Sequence, residues 1–341
     1  MPEQLATNGA GPGTPLADVE AAEITEAQLL SWYREMTLIR RVEELAAKAY
    51  TLRKIKGFCH LYIGQEAVCV GASAALEPGD TVAGSYRDHG QIMSRGVSAR
   101  AMLAELFGKA TGVTNGVGGS MHLASKEHDF IGGYGIVGGH VPLGAGAAFA
   151  NKYKDNGKVS LTYFGDGAAH QGAFFEAMAL SQLWQLPAVY LCENNGYAMG
   201  TSLERQSYLT DMSRRGDGVG MLRWQFNGLD IVDVYQNVKK AVDYARAGKG
   251  PVILEAITYR YRGHSMSDPA KYRKKGELKE KKAQDCIESA GNLLQSRFGV
   301  TSEALDAIKA DVEVESQDAY KFADESDVPD PSKLYDYTYA E

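Results

Sequence analysis

The sequence predicts an α/β protein with a mostly parallel central sheet and helices on both faces. Its clearest unit is a strand–helix–strand segment: a β-branched and aromatic run at 159–164, a helical pattern at about 170–185, and a second apolar run at 188–193. Two strands joined through a helix are expected to be parallel. Further apolar strands at 81–83 and 252–257, each preceded by Gly and Pro, extend the sheet.

Bulk properties limit the domain count and the kinds of partner. We expect one domain over 24–341 and a disordered arm over 1–23, a stretch rich in Ala, Gly, Pro and acidic residues. The arm has no Lys or Arg, so it resembles neither a secretory signal nor an Arg-rich transit peptide. The net charge of -7 and the lack of any membrane-length apolar run argue against nucleic-acid and membrane partners. The four cysteines form no CxxC pair and are expected to be reduced.

The helices before the strand–helix–strand unit can be placed from their starting residues. A helix should begin near Thr25, where an acidic first turn starts, and should continue to about Tyr50. A helix of small residues follows Gly64, and a helix rich in Gly and Ala begins at about Pro142. The glycine-rich stretch 112–122 predicts a mobile loop, whose final histidine is either structural or at the edge of a cavity.

The pattern after the unit continues to the C-terminus. Residues 202–220 predict an irregular segment, and a new strand–helix pattern begins at Ile231, helical over 238–247. Two charged surface helices are expected at 280–298 and 302–322, separated by a glycine. Within the helix of the central unit, the expected packing positions are Phe174, Phe175, Met178, Leu180 and Leu183.

Polar side chains stand where two of the predicted strands end. Asp166 follows the first strand of the unit, between glycines, and Asn195 follows the second. Because open α/β sheets bind ligands at the carboxyl ends of their strands, we expect these residues to share a site. Carboxylate and amide oxygens suit Mg²⁺ or Ca²⁺ better than zinc. Glycines allow a ligand close to the backbone, and free amides at the next helix start favour an anion. The stretch alone therefore suggests a diphosphate held through a metal.

The letters GDG followed by NN after a crossover resemble the thiamine diphosphate motif of the transketolase-like superfamily. The ending ENNGYAMGTS, with the chain from about Ile24 onward, resembles the alpha subunit of the pyruvate dehydrogenase first component, in the thiamine diphosphate-dependent 2-oxo acid dehydrogenase family. The resemblance implies a thiamine diphosphate-binding fold and an Mg²⁺ ion held by Asp166, Asn195 and the main-chain carbonyl of Tyr197. The cofactor contacts that it implies along this stretch are Gly165, Asp166, Gly167, Ala168, Asn195 and Tyr197.

The segment GFCHLYIGQEA, which starts at Gly57, resembles the same family. Its histidine lines the active site there, so the resemblance implies that His60 contacts the cofactor and is catalytic. His60 would donate to charge that develops on the substrate carboxylate or carbonyl. Phe58 would pack on the cofactor. Glu66 is a candidate general base, but the chemistry of a helix start explains it at least as well.

Tyr86 and Arg87 follow the strand at 81–83. A planar guanidinium and a neutral hydroxyl suit phosphate, although this dipeptide is also common on surfaces. The resemblance implies that both residues touch the cofactor diphosphate. His89 either belongs to the site or only caps and packs.

The segment from Gly133 to Gly138 matches GxGxxG by letter. A dinucleotide site needs a preceding strand and a helix that opens inside the motif, whereas residues 126–131 make a poor strand. We therefore reject a nicotinamide site here. The resemblance instead implies that main-chain atoms of Gly135 and Val137 contact the aminopyrimidine of the cofactor.

A second specific signal lies at 258–269, after the strand at 252–257. Arg260 could reach a phosphate and His264 could exchange protons with a reacting group, although a solvated basic loop is the alternative. RGHSMSDP resembles pyruvate-type members more than branched-chain ones, which have a second histidine at the Ser265 position. The resemblance implies that Arg260 binds the diphosphate and that His264 is a catalytic and cofactor-binding residue in the active-site channel. Ser265 matches a regulatory phosphorylation site of animal relatives.

The resemblance implies the alpha subunit of a pyruvate dehydrogenase (acetyl-transferring). With thiamine diphosphate and Mg²⁺ it would decarboxylate pyruvate and pass the acetyl unit to the lipoyl domain of dihydrolipoyl acetyltransferase. No motif supplies a buried carboxylate for the cofactor ring, so we expect a beta subunit to bring one, in an assembly of two alpha and two beta chains. Branched-chain 2-oxo acid or acetoin dehydrogenases and an inactive regulatory subunit are the alternatives. We expect a bacterial cytoplasmic location, or the mitochondrial matrix if a transit peptide has already been removed.

Overall fold

The computed structural model describes residues 23–336 and 338, so the arm predicted over 1–23 lies, apart from Glu23, outside the described residues. The strands are β1 Thr81–Ser85, β2 Phe130–Tyr134, β3 Ser160–Gly165, β4 Ala188–Asn194, β5 Tyr197–Ala198, β6 Thr201–Ser202, β7 Leu222–Asn227 and β8 Val252–Ile257. The helices are α1 Glu26–Thr51, α2 Glu66–Ala74, α3 His89–Ser94, α4 Ala99–Leu106, α5 Val141–Lys154, α6 Gly172–Leu183, α7 Leu203–Gln206, α8 Ile231–Arg246, α9 Glu277–Lys282, α10 Cys286–Phe298 and α11 Ser302–Glu325.

Six strands form one parallel sheet in the order β2-β1-β3-β4-β8-β7. The chain runs outward from β1 to β2 and then returns to β3 on the other side of β1, so the strand order reverses at β1. Ligand-binding crevices of open α/β sheets form at such a reversal. β5 and β6 make a separate antiparallel pair. The predicted parallel sheet is confirmed.

Helices cover both faces of this sheet, as predicted. Leu161 and Tyr163 of β3 face one core, to which α1, α2 and α8 contribute. Phe164, the next residue along β3, faces a second core with α5 and α6. This alternation is the two-residue period of a strand that is buried on both faces.

The start of α1 follows from its sequence. The Thr25 hydroxyl accepts from the Gln28 amide at 3.3 Å, and the Gln28 side chain accepts from the Thr25 amide at 3.0 Å. This reciprocal capping box satisfies two main-chain donors that no helical bond could satisfy. Among the described residues, no helix has both the length and the apolar character that a bilayer crossing requires.

The segment before Gly133 contains a strand where we expected almost none. β2 pairs with β1 along the edge of the sheet, and this tertiary pairing overrides the weak strand preference of its two glycines. α5 begins at Val141, beyond Gly138, so no helix opens inside the GxGxxG letters as a dinucleotide site requires. The expectation of a poor strand was wrong, whereas the missing helix start supports rejection of that site.

The strand expected at Ile231 lies earlier in the chain. β7 occupies part of the region after residue 220, and α8 begins at Ile231 itself. The helix starts there because the Asp230 carboxylate accepts from the amides of Val232 and Asp233, at 2.9 and 3.3 Å. The N-cap signal was therefore the better guide to this boundary than the apolar pattern.

Helix α6 buries only part of its expected packing face. Phe174 and Met178 are fully buried, but Phe175, Leu180 and Leu183 are 42–73% exposed. Leu183 belongs to an exposed apolar surface, here called the α5–α6 surface, together with Phe149, Tyr153 and Trp184. Exposed apolar patches of this kind commonly mark interaction sites.

The stretch 112–122, expected to be a mobile loop, is organised around one buried carboxylate. Glu105, near the end of α4, is fully buried. Its two oxygens accept at 2.8–3.0 Å from the amides of Thr114, Gly116, Gly118 and Gly119. The main chain of this stretch is therefore gathered around one carboxylate, and its mobility stays a prediction.

The helix expected at 280–298 is divided. α9 ends at Lys282 and α10 starts at Cys286, because the Asp285 carboxylate caps the second helix and also accepts from Arg40 at 2.9 Å. Gly299, with φ of +72°, ends α10 as predicted. The last predicted helix, 302–322, corresponds to α11.

Candidate active site

A cavity of about 270 Å³ lies at the carboxyl edge of the sheet, beyond the ends of β1, β3, β4 and β8. β3 and β4 are parallel neighbours up to the pair Gly165–Glu193, so Asp166 and Asn195 reach the same edge, as predicted. The predicted site residues that line this cavity are Tyr86, Arg87, Val137, Gly165, Asp166, Gly167, Ala168, Asn195, Tyr197, Arg260 and His264.

The oxygens predicted to hold Mg²⁺ lie around one cationic group. Arg260 donates through Nη1 to Asn195 Oδ1 at 3.1 Å and to the Tyr197 carbonyl at 3.0 Å. Asp166 is buried in the same lining, where its carboxylate accepts from Gln206. Burial raises the pKa of Asp166, and the Gln206 hydrogen bond and the Arg260 charge oppose part of that rise.

These donors fit a hard divalent cation. A carboxylate, an amide oxygen and a main-chain carbonyl are typical Mg²⁺ ligands, and Mg²⁺ usually completes its shell with water and phosphate oxygens. Within 23–336 and 338, no group of three or more His, Cys, Asp and Glu side chains could hold a metal.

Two buried guanidinium groups face this cavity. Arg87 is 5% exposed and Arg260 is 2% exposed. Burial, followed by repulsion from Arg260, lowers the pKa of Arg87 to about 10. Two buried guanidinium cations that face one cavity make it suitable for an anion such as a diphosphate.

Arg87 also has a structural role that the sequence did not indicate. Its guanidinium donates to the carbonyl of Leu61 at 2.6 Å and to the carbonyl of His264 at 2.7 Å. It therefore ties the segment that carries His60 to the segment that carries His264.

A second cavity, of about 510 Å³, adjoins the first and shares Met199 and His264 with it. His60 lines this cavity, and its ring centroid lies 4.6 Å from Tyr86 and 5.0 Å from His264. Phe58 also lines it, 61% exposed. The two predicted catalytic histidines are thus brought together.

Both histidines are neutral at physiological pH. Burial, followed by the charge of Arg87, lowers the pKa of His60 to about 2 and that of His264 to about 4. The Nδ1 atoms of both rings are buried and have no hydrogen-bond partner among the described residues. These atoms are free to bond to a ligand.

Gly135 is the predicted site residue that lies outside the lining of both cavities. A Cβ atom added to it would lie 3.2 Å from His122 Nε2, so glycine lets the His122 ring approach the main chain closely. Val137 does line the first cavity, 40% exposed. Contact of either residue with an aminopyrimidine stays a prediction.

Glu66 is a structural residue. Its carboxylate accepts from Arg40 at 2.5 and 2.8 Å and from the Gly64 amide, and it lines neither cavity. Of the two interpretations of Glu66 from the sequence, the structural one agrees with this position.

Glu193 is the site carboxylate that the sequence analysis missed. It lines the first cavity, and its oxygens accept from the Tyr62 hydroxyl and, at 3.0 Å, from Gln91. Burial raises its pKa to about 7. Its position near the carboxyl end of β4, just before Asn194 and Asn195, was the available signal. The other lining residues that were missed are Ser85, Gly138, His140, Gln171, Ala198 and Met199.

The segment after His264 is held by Asp268. Its carboxylate accepts from the His264 amide at 2.6 Å and from the Tyr272 hydroxyl at 2.7 Å. The same hydroxyl accepts from Arg260 at 3.0 Å. Ser265 is buried in this segment, lines the second cavity, and lies 3.0 Å from the Ser267 hydroxyl.

Comparison with known proteins places this chain among characterised sequences. Residues 34–332 match the family model described as dehydrogenase E1 component. A Rhizobium meliloti protein, pyruvate dehydrogenase E1 component subunit alpha, is 50% identical over 315 residues, 92% of this chain and 90% of the relative. The protein of the same name from Zymomonas mobilis is 48% identical over 90% of this chain and 87% of its own. A testis-specific mitochondrial form from Rattus norvegicus is 45% identical over 93% and 80%.

Proposed function

Since this chain belongs to the dehydrogenase E1 component family, we propose that it is the alpha subunit of a pyruvate dehydrogenase (acetyl-transferring). The names and high identity of its relatives support pyruvate as the substrate. The observation that carries the proposal is the shared lining of one pair of adjoining cavities by Asp166, Asn195, His60 and His264. An inactive regulatory subunit would have no need to retain this arrangement.

The cofactors of this proposal are thiamine diphosphate and Mg²⁺. Asp166, Asn195 and the carbonyl of Tyr197 would hold the metal, and Arg87 and Arg260 would neutralise the diphosphate. When bound, thiamine diphosphate supplies the carbon nucleophile and the electron sink for decarboxylation. In this structure Arg260 Nη1 donates to two of these three oxygens, Asn195 Oδ1 and the Tyr197 carbonyl, so the guanidinium already lies beside the proposed metal site.

The histidine side of the site would bind and orient the substrate. His60 and His264 are neutral, so each can donate a hydrogen bond to the carboxylate or carbonyl of a 2-oxo acid. Tyr86 packs against both rings and fixes their orientation. The buried lining of the cavity would exclude water while the substrate reacts.

A beta subunit would complete the site. In this family's mechanism a carboxylate must face the cofactor ring, and the oxygens of the one further carboxylate in the first cavity, Glu193, already accept from Tyr62 and Gln91. The exposed α5–α6 surface and Phe58 supply apolar area for such a partner. We propose an assembly of two alpha and two beta chains, with the cofactor between unlike chains.

The acetyl unit would leave on a carrier. We propose that the lipoyl domain of dihydrolipoyl acetyltransferase approaches the second cavity, whose lining includes Phe58, Ser267 and Tyr272. We also propose a bacterial cytoplasmic location, which the bacterial relatives and four free, buried cysteines support.

Reconstitution tests this function. The purified chain is assayed for decarboxylation with thiamine diphosphate, Mg²⁺ and pyruvate, alone and after co-expression with the beta chain of its own organism. We expect no turnover alone and turnover with the beta chain. Parallel assays with 2-oxoisovalerate and acetoin decide specificity, since one methylene changes binding by only ~1–3 kcal/mol. Faster turnover of either compound than of pyruvate would overturn the substrate assignment, and full turnover by the chain alone would overturn the partner assignment.

A further inference from the structure

A fully buried chain of polar groups lies behind His60. Glu43 of α1 and His89 of α3 are both fully buried, with Glu43 Oε1 2.9 Å from His89 Nδ1. On the other side of the ring, His89 Nε2 lies 2.9 Å from the Ser120 hydroxyl and 3.1 Å from the Ser120 carbonyl. Each ring nitrogen of His89 is therefore occupied.

The partners of His89 favour a proton on both ring nitrogens. A Glu43 carboxyl oxygen faces Nδ1, and the carbonyl and hydroxyl of Ser120 both face Nε2; the carbonyl can only accept, whereas the hydroxyl can also donate. Burial lowers the pKa of His89, but the charge and hydrogen bond of Glu43, together with Asp88 and the Ser120 carbonyl, raise it, so the net shift is upward. The direction is opposite to that of His60 and His264, whose pKa values are lowered.

The arrangement has the order of a Ser–His–Glu nucleophile system but not its access. Ser120 is 4% exposed and lines neither of the two cavities. Its hydroxyl oxygen accepts from the His60 amide at 3.4 Å. A nucleophile must meet a substrate, and this hydroxyl is buried away from both cavities, which leaves a positioning role.

The segment that carries His60 is held by its main chain on both sides. On the inner side, the His60 amide donates to Ser120 and the Tyr62 amide donates to Glu43 at 3.1 Å. On the outer side, the carbonyl of Cys59 accepts from the Met266 amide at 2.9 Å. The His60 ring has no hydrogen bond at Nδ1, so these main-chain anchors set its position together with the packing of Tyr86 and His264 against the ring.

The Ser120 end of this chain of polar groups is also held by hydrogen bonds. Ser120 directly follows Gly118 and Gly119, whose amides donate to Glu105 at 2.8 and 3.0 Å. Ser120 is therefore joined to a main chain that is hydrogen-bonded to Glu105. A change at His89 would release Ser120 from one side only, without freeing the whole stretch.

We propose that His89 is a positioning residue, which holds His60 in its reactive orientation through Ser120 and the main chain of the Cys59–Tyr62 segment. This inference rests on the proposed function for its kinetic consequences. Its structural content, that the side chain of His89 sets the place of His60, does not depend on which reaction the enzyme catalyses.

Two substitutions divide the roles of the two ring nitrogens. In His89→Gln the amide nitrogen falls near the place of Nε2 and can still donate to Ser120. In His89→Asn it falls near the place of Nδ1 and can donate only to Glu43. Since small misplacements of a catalytic group cost about 10- to 100-fold, we expect kcat of the assembled enzyme to fall by about that factor in His89→Asn. In His89→Gln it should fall by no more than about threefold, with little change in KM for pyruvate in either.

Arg246→Gln serves as the matched control. Arg246 forms a partly buried ion pair with Asp80 at 2.6 Å, just before β1 and thus at the opposite edge of the sheet from the site. Its loss should lower the unfolding temperature and leave kcat unchanged. A general loss of stability is thereby separated from a loss of positioning.

A second readout needs no turnover. The imidazole resonances of His60, identified with His60→Gln, are recorded by NMR for the isolated chain. We expect them to shift in His89→Asn and to stay near the wild-type position in His89→Gln. If the two His89 variants behave alike in both kcat and the His60 resonances, or if His60 does not shift in His89→Asn, the proposal is wrong. An enzyme without pyruvate turnover but with the expected NMR difference would contradict only the proposed function.

Discussion

The two sides of the site differ in how their polar groups are satisfied. On the side of the proposed metal site, here called the metal side, the oxygens of Asp166 and Asn195 accept hydrogen bonds from Gln206 and Arg260. Arg260 also donates to two main-chain carbonyls, and only its Nε atom has no partner among the described residues. On the histidine side, His60 and His264 each have a buried Nδ1 atom without a partner among the described residues. Buried polar groups are normally paired, so an unpaired one needs an explanation.

The difference indicates a division of labour. The metal side is a set of fixed charges and oxygens suited to a cofactor that stays bound. The histidine side has unpaired ring nitrogens that suit a substrate, which binds and leaves in each turnover. A substitution on the metal side should therefore act first on cofactor affinity, and a substitution on the histidine side should act first on turnover.

The largest effect is expected from Asp166→Ala, which removes the charged ligand of the metal side. Loss of outer groups around a metal commonly lowers its affinity ~10- to 100-fold, and loss of a direct ligand should lower it by at least that much. Calorimetric titration of the assembled enzyme with thiamine diphosphate and Mg²⁺ measures it, and circular dichroism checks that the chain folds. Unchanged affinity would mean that Asp166 does not hold a metal.

Ser265→Glu should have a smaller effect, on turnover. Ser265 lines the second cavity beside His264, and an added carboxylate would repel an anionic substrate or an approaching lipoyl group. We expect kcat/KM for pyruvate to fall by about tenfold or more, the equivalent of ~1.4 kcal/mol. Ser265→Gln is the matched control, because it adds similar bulk without charge. Equal losses in both variants would point to steric disruption and would contradict the electrostatic explanation.

The smallest effect is a pH dependence of stability. The pKa of His60 is about 2 in the folded chain against an ordinary value of 6.5, so below about pH 6.5 the unfolded chain binds a proton that the folded chain does not. Stability contributed by this residue is therefore lost as the pH falls. Between about pH 7.5 and about pH 5.5 the wild type should lose about 1 kcal/mol relative to His60→Gln.

Urea unfolding of both chains at the two pH values measures this difference. Glu193, whose raised pKa acts in the opposite direction, is present in both chains and cancels. A difference that does not change with pH would mean that His60 is not held neutral, and would weaken the contrast between the two sides.

The proximity of Asp166 and Asn195 could be predicted from the sequence by physical argument. The composition of two strands predicted that Asp166 follows one of them and Asn195 the other. Because parallel strands end at the same edge of a sheet, the two residues were expected to lie close together. The histidine side could not be derived this way. His60, His264 and Tyr86 lie on three connecting segments that are far apart in the sequence, and no local pattern specifies how such segments meet.

Other expectations failed at contacts between segments. β2 forms because β1 pairs with it, although its two glycines have a weak strand preference. Leu183 was expected to pack but is 73% exposed, since the apolar character of a helix residue does not show whether it packs on its own chain or on another. The boundaries at Ile231 and Cys286 differ for a local reason, because the N-caps Asp230 and Asp285 outweigh the apolar pattern there.

The central claim is the division of labour between the two sides, and one paired measurement tests it. Cofactor affinity and kcat are determined in the assembled enzyme for Asn195→Ala and for His264→Ala, one residue from each side. We predict that Asn195→Ala lowers thiamine diphosphate affinity at least about tenfold in the presence of Mg²⁺. We predict that His264→Ala keeps that affinity within about threefold and lowers kcat about 100-fold or more at saturating cofactor. If His264→Ala weakens cofactor binding as much as Asn195→Ala does, or if Asn195→Ala binds normally and fails only in turnover, the two sides do not divide the work in this way.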